Sequence, residues 1–132
     1  MLFFFNFSNI LSADKDYFSE GKKLFELKNY KDSKFKFEKD IVFNPKNEKS
    51  YLYLAKIFKK EKNPILEENN LNTVILLDPK NEEAIYLLAL LNIKNSNFSK
   101  AEDLINTFKK ICDRSCSLKK DLLEELKISS KK

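Results

Sequence analysis

Pro45-Lys46-Asn47-Glu48 returns unchanged as Pro79-Lys80-Asn81-Glu82, a displacement of 34 residues. The same interval links Asn29 to Asn63 and Asn97, and links Asn47 to Asn81 and Ser115. Both series suit the start of a helix, because a short polar side chain accepts a hydrogen bond from the unpaired N–H groups of the first turn. Glu48, Glu82 and Glu83 then set negative charge at the positive end of the helix dipole. A fixed interval of this size marks a repeated unit that buries its apolar face only by stacking on its neighbours.

Between these marks apolar residues recur at three and four, the period of a helix rather than of a strand. Tyr17, Gly21, Leu24 and then Leu27 or Lys28 lay out the inner stripe of a first helix, with Phe37 and Ile41 on a second. Tyr51, Leu54, Ala55 and Phe58 do so for a third, and Pro64 suits the first turn of a fourth that carries Leu71, Val74 and Ile75. Ile85, Leu88, Ala89 and Asn92 belong to a fifth, and Phe98, Ala101, Leu104, Ile105 and Phe108 to a sixth. The spacing predicts three helix hairpins that turn near Asn29, Asn63 and Asn97, with no strand. Leu118, Leu122 and Leu126, four apart, predict a capping helix over 116–128 that covers the last hairpin, followed by a frayed tail at 129–132.

A chain of 132 residues is one domain, and its composition removes most chemistry. It has no His, the side chain suited to acid and base work near neutrality and the commonest transition-metal ligand. Its single glycine, Gly21, cannot build a phosphate-cradling loop. Two cysteines cannot supply the four ligands of a structural zinc. The carboxylates lie among lysines at helix-surface spacing and read as a solvated face. The expectation is a protein that is not an enzyme and that takes no metal or cofactor. Lys plus Arg exceeds Asp plus Glu by 25 to 20, and Arg114 is the only arginine. Nucleic-acid contacts favour arginine, whose planar fork reads phosphate in two places at once, so the lysines point to nucleic acid only weakly. Abundant Asn, Ile, Phe and Lys together fit an AT-rich coding sequence.

These residues resemble the tetratricopeptide repeat, whose 34-residue unit is a helix-turn-helix. Three units fit end to end, at 14–47, 48–81 and 82–115. In the first, Tyr17 takes the large aromatic position, Gly21 the small one, Tyr30 opens the second helix, and Ser33, Phe37 and Asn44-Pro45 complete the pattern. The second supplies Tyr51, Leu54, Ala55, Phe58, Leu71, Val74 and Asp78-Pro79, the third Ile85, Leu88, Ala89, Phe98 and Ala101. Asp40 and Glu67 depart from the pattern by standing where small residues let helices approach, which predicts looser packing or a polar group at an edge. The third unit ends on Asp113 instead of proline, as suits a last repeat. The resemblance implies an all-α, right-handed solenoid of small bacterial type, with a concave groove that holds a partner's peptide or helix.

Carried onto this chain, the groove positions are Lys15, Phe18, Lys22 and Phe25, then Lys49, Leu52, Lys56 and Lys59, then Tyr86, Leu90 and Ile93. A basic and apolar set of this kind suits an acidic peptide with aromatic or aliphatic anchors, lysine steering the encounter while burial supplies affinity. The carboxylate clamp known in the family finds Phe18, Lys22, Glu83 and Leu87 at its positions and is absent. The expected function is protein–protein interaction in a scaffold or assembly role. The alternative is a peripheral module that holds nucleic acid or acidic lipid through its lysines.

Met1, Leu2, Phe3, Phe4, Phe5, Phe7, Ile10 and Leu11 precede Ser12-Ala13 in a run too short and too interrupted to span a bilayer. Residues 1–13 read first as a secretory signal cleaved after Ala13, which would export the mature chain from a bacterial cytoplasm, and second as an apolar segment covering the first hairpin. Cys112 and Cys116 would close a small disulfide loop in an oxidising compartment and stay ordinary thiols in a reducing one. Their spacing alone leans to the thiols.

Overall fold

A computed structural model describes residues 16–132 as seven helices: α1 (Tyr17–Glu26), α2 (Tyr30–Phe43), α3 (Glu48–Lys60), α4 (Pro64–Leu77), α5 (Glu82–Lys94), α6 (Phe98–Ile111) and α7 (Leu118–Ser129). Consecutive helices pair as three hairpins, α1 with α2, α3 with α4 and α5 with α6, and each hairpin stacks on the last through α2 with α3 and α4 with α5. The proposed cleavage site and Lys15 lie outside the described residues.

The three hairpin turns are copies of one device. Lys28, Lys62 and Ser96 take left-handed φ values of 60°, 56° and 59°. In each turn the next N–H reaches back five residues, from Asn29 to Leu24 at 2.9 Å, Asn63 to Phe58 at 2.9 Å and Asn97 to Asn92 at 2.8 Å. This closes the preceding helix on its unpaired carbonyls. The same asparagine then opens the following helix, with its side chain accepting from Asp32 N–H for Asn29 and from Leu66 N–H for Asn63. One residue thus ends one helix and begins the next, which explains why the turn needs only three residues. Because α1 stops at Glu26, Leu27 is exposed and does not extend the inner stripe as expected.

Within each hairpin a small residue faces a large one. Gly21 meets Phe37, Ala55 shares a core cluster with Leu71, and Ala89 shares one with Ile105. Phe37, Leu71 and Ile105 are fully buried, each worth roughly 1.5–3 kcal/mol over exposure.

Asp40 lies neither at an edge nor in loose packing. Its buried carboxylate accepts from Asn44 Nδ2 at 3.0 Å, Asn47 Nδ2 at 2.7 Å and Ser50 Oγ at 2.5 Å, tying the end of the first unit to the start of the second. Asn47 therefore spends its side chain on Asp40 and makes no cap bond at the head of α3, whereas Asn81 caps α5 through Ala84 N–H. Glu67 is also buried, and that burial raises its carboxyl above the usual range against the pull of Lys59 and Lys94.

The last helix begins later than the repeat interval predicts. Ser115 does not open α7: its N–H is bound to Glu82, and the helix starts at Leu118, where the leucine spacing places it. Cys112 and Cys116 are joined as a disulfide with their Cα atoms 5.1 Å apart, so the leaning toward free thiols is reversed. Among the described residues no helix is long and apolar enough to cross a membrane.

Candidate partner-binding face

The expected groove residues sort into three groups. Lys22, Lys49 and Lys59 are exposed, and Phe18, Phe25, Lys56, Tyr86 and Leu90 are half-buried. Leu52 and Ile93 are buried and leave the surface altogether. Leu52 is enclosed in the cluster that holds Ala55, Leu71, Ala84 and Leu88, where the second and third units meet. Ile93 is enclosed with Ile105, Phe108 and Leu122, between the third hairpin and α7.

The structure gathers Phe18, Phe25 and Lys56 around a residue that the repeat pattern passes over, Tyr53 on α3. Its ring lies 5.9 Å from Phe18, 5.0 Å from Phe25 and 4.9 Å from Phe37, edge-on to the first two and stacked on the third. Lys56 Nζ sits 5.1 Å from the centre of the same ring, a geometry in which the ring face attracts the cation. Four aromatic rings from three helices therefore form one cluster, and Phe18, Phe25 and Tyr53 each keep part of their surface open. Burial pushes the Tyr53 hydroxyl above the usual phenol range, and Glu26 and then Glu83 push it further.

Those carboxylates alter the charge expected of the face. Lys56 pairs with Glu83 at 2.5 Å, which bridges α3 to α5 and takes that lysine out of the basic set. Lys22, Lys49 and Lys59 carry the positive charge that is left. Tyr86, at the other end, is raised by burial and then by Asp121 and Glu125 of α7, which places two more acids beside the face.

Three helix hairpins stacked through first and second helices have counterparts among solved structures. The TPR2B domain of yeast Sti1 in complex with pHsp70 matches with a TM-score of 0.75 and 16% identity, over 87% of this chain and 94% of that one. The fold is that of a tetratricopeptide array. The Yersinia enterocolitica type III secretion chaperone SycD, in complex with a peptide of the translocator YopD, matches at 0.76 and 14% identity over 92% of this chain and 97% of that one. The first TPR of Spaghetti (RPAP3), bound to the HSP90 peptide SRMEEVD, matches at 0.74 and 15% identity over 87% of this chain and 88% of that one. No protein-family model and no curated protein matches the sequence. Within this tetratricopeptide fold the first helices of the second and third hairpins are tied by the Lys56–Glu83 pair.

Proposed function

We propose that this tetratricopeptide array binds another protein by taking a peptide or helix along its first helices, in a scaffold or assembly role. The observation that carries the reading is the half-open aromatic cluster of Phe18, Phe25 and Tyr53 beside the exposed Lys22. Packed rings already fixed by neighbours lose little freedom when a partner covers them, which is why aromatic anchors dominate protein interfaces. The arrays that share this fold include two whose structures hold partner peptides, SycD with YopD and RPAP3 with an HSP90 peptide. The apolar set favours aliphatic or aromatic anchors in the partner, and Lys22, Lys49 and Lys59 favour acidic residues around them.

A small bacterial array exported through residues 1–13 is the fuller form of the proposal. The disulfide supports it, since such links persist in oxidising compartments. Intact mass of the native protein tests export, a chain beginning at Asp14 being the expected result.

Affinity capture of partners with the native chain and with a Phe18→Ala, Lys22→Ala, Lys56→Ala chain of matched helicity tests the binding face. Loss of the captured partner in the triple variant is expected. An unchanged set of partners would sink the reading.

A further inference from the structure

In a chain where 34% of residues are charged, α4 holds neither lysine nor arginine. Both of its carboxylates are accounted for, since Glu67 is buried and Glu68 is paired with Lys100 Nζ at 2.5 Å. Along one outward line α4 exposes Ile65, Asn69, Asn72 and Leu76, at intervals of four, three and four. Ile65 is 71% and Leu76 81% exposed, and Leu76 is the most exposed large apolar residue among the described residues. Asn70 and Thr73 spend their side chains on the carbonyls of Leu66 and Asn69 in their own helix. One repeat to either side the same line is charged: α2 exposes Lys31 and Glu38 there, and α6 exposes Asp103 and Lys110.

The α4 stripe is also symmetric end to end. The midpoint of Pro64–Leu77 falls between Asn70 and Leu71. Ile65 and Leu76 stand equally far from it on opposite sides, and so do Asn69 and Asn72. The alternation of four and three is that of the seam between two helices. About a two-fold axis at the midpoint, an antiparallel copy sets its Leu76 against Ile65 and its Asn72 against Asn69, and the reverse pairs follow by symmetry. Each asparagine amide both donates and accepts, so the two inner layers satisfy one another. A slip of one heptad would set asparagine against Ile65 or Leu76, which holds the register. With a net charge of +5 two copies repel, and this stripe lets identical surfaces meet with no like charges opposed.

We infer that two copies of the chain pair antiparallel through α4, in a symmetric dimer whose seam is Ile65, Asn69, Asn72 and Leu76. The seam lies on second helices and the partner-binding face on first helices, so pairing leaves both binding faces open. A partner with two sites is then held more tightly than one array would hold it. The seam is one helix wide and about 16 Å long, short of the about 800 Å² that each partner gives to a standard interface. The dimer is therefore weak, exchanging with monomer at concentrations of about 10–100 µM.

Sedimentation equilibrium of the full chain across and above that range tests the pairing. The average mass is expected to rise toward two chains. Leu76→Lys spoils two layers of every dimer and should weaken association by about 100-fold. Val42→Lys, at the matching place on α2, removes a similarly exposed apolar residue and should leave association unchanged. Ile65→Glu and Leu76→Lys chains, each monomeric alone, should associate when mixed. The antiparallel register sets the new acid against the new base at one end and keeps Leu76 against Ile65 at the other. A native chain that stays monomeric throughout overturns the proposal and leaves the stripe to a partner of another kind. Association that survives Leu76→Lys, or that Val42→Lys weakens as much, overturns it too, as does a mixture that associates no better than its components. No partner is needed for these measurements, so they stand apart from the binding-face reading.

Discussion

The ring of Phe37 lies so close to Gly21 that a Cβ on the glycine would stand 2.9 Å from its Cε1. Phe37 has no room to retreat, since it is fully buried, stacked on Tyr53 at 4.9 Å and tilted against Phe18 at 5.9 Å. Gly21→Ala gains roughly 1 kcal/mol of helix propensity. Forcing a methyl into a packed ring costs about 1–3 kcal/mol. The expected balance is a net loss near 1 kcal/mol, read as a lower urea midpoint with unchanged slope, and Phe37→Leu in the same chain should recover part of it.

The left-handed turns at Lys28, Lys62 and Ser96 place side chains where glycine is at ease. Replacing each with glycine should stabilise the chain by about 0.5–1 kcal/mol, less what glycine adds to the freedom of the unfolded state. The turns are far apart, so the three gains should add. A triple-glycine chain whose melting temperature falls would show that these side chains hold their turns by contacts of their own.

Removing the Asp40 carboxylate leaves the fully buried Ser50 hydroxyl without its acceptor and takes from the Asn47 amide the shorter of its two bonds. Asp40→Ala should therefore cost about 2–4 kcal/mol, more than a cavity of that size alone. Asp40→Ala with Ser50→Ala should cost less than the sum of the two single changes. Strict additivity in chemical denaturation would mean that the groups do not act as one network.

Burial raises the Glu67 carboxyl, so the folded chain holds its proton more tightly than the unfolded chain does. The sign follows directly: this group's stabilising contribution is full below the ordinary glutamate range and is lost as pH climbs through its raised value. Stability of the native chain should decline on this account from about pH 4 toward neutrality. Glu67→Gln should flatten that segment of the profile and be the more stable chain near pH 7. A variant that is less stable at neutral pH would show that Lys59 and Lys94 together outweigh the burial.

The hairpins are legible in the sequence because Asn29, Asn63 and Asn97 act locally, each through bonds within its own turn. Position in a 34-residue unit also says which way a residue points, as Gly21, Ala55 and Ala89 show. It does not say what a neighbouring unit lays over that residue. Leu52 and Ile93 point along the expected face but are covered, and Tyr53 emerges only because rings from α1 and α2 close around it. The start of α7 is legible in the spacing of Leu118, Leu122 and Leu126, whereas the bond from Ser115 N–H to Glu82 is not, since its acceptor lies in a different helix.

The Asp40 to Ser50 contact has a counterpart at each later junction, displaced by the repeat interval. Val74 and Ala84 occupy the same two places between the second and third units, and Phe108 and Leu118 do so between the third unit and α7. One junction is polar on both sides and the other two are apolar on both sides. Joining the first unit to the third would bury the Asp40 carboxylate against Ala84, and joining the second unit to itself would set Val74 against Ser50. The first unit thus ends on half of a key that only the second unit completes, while the two apolar junctions share one chemistry, so the polar pair alone marks where the array begins its stack.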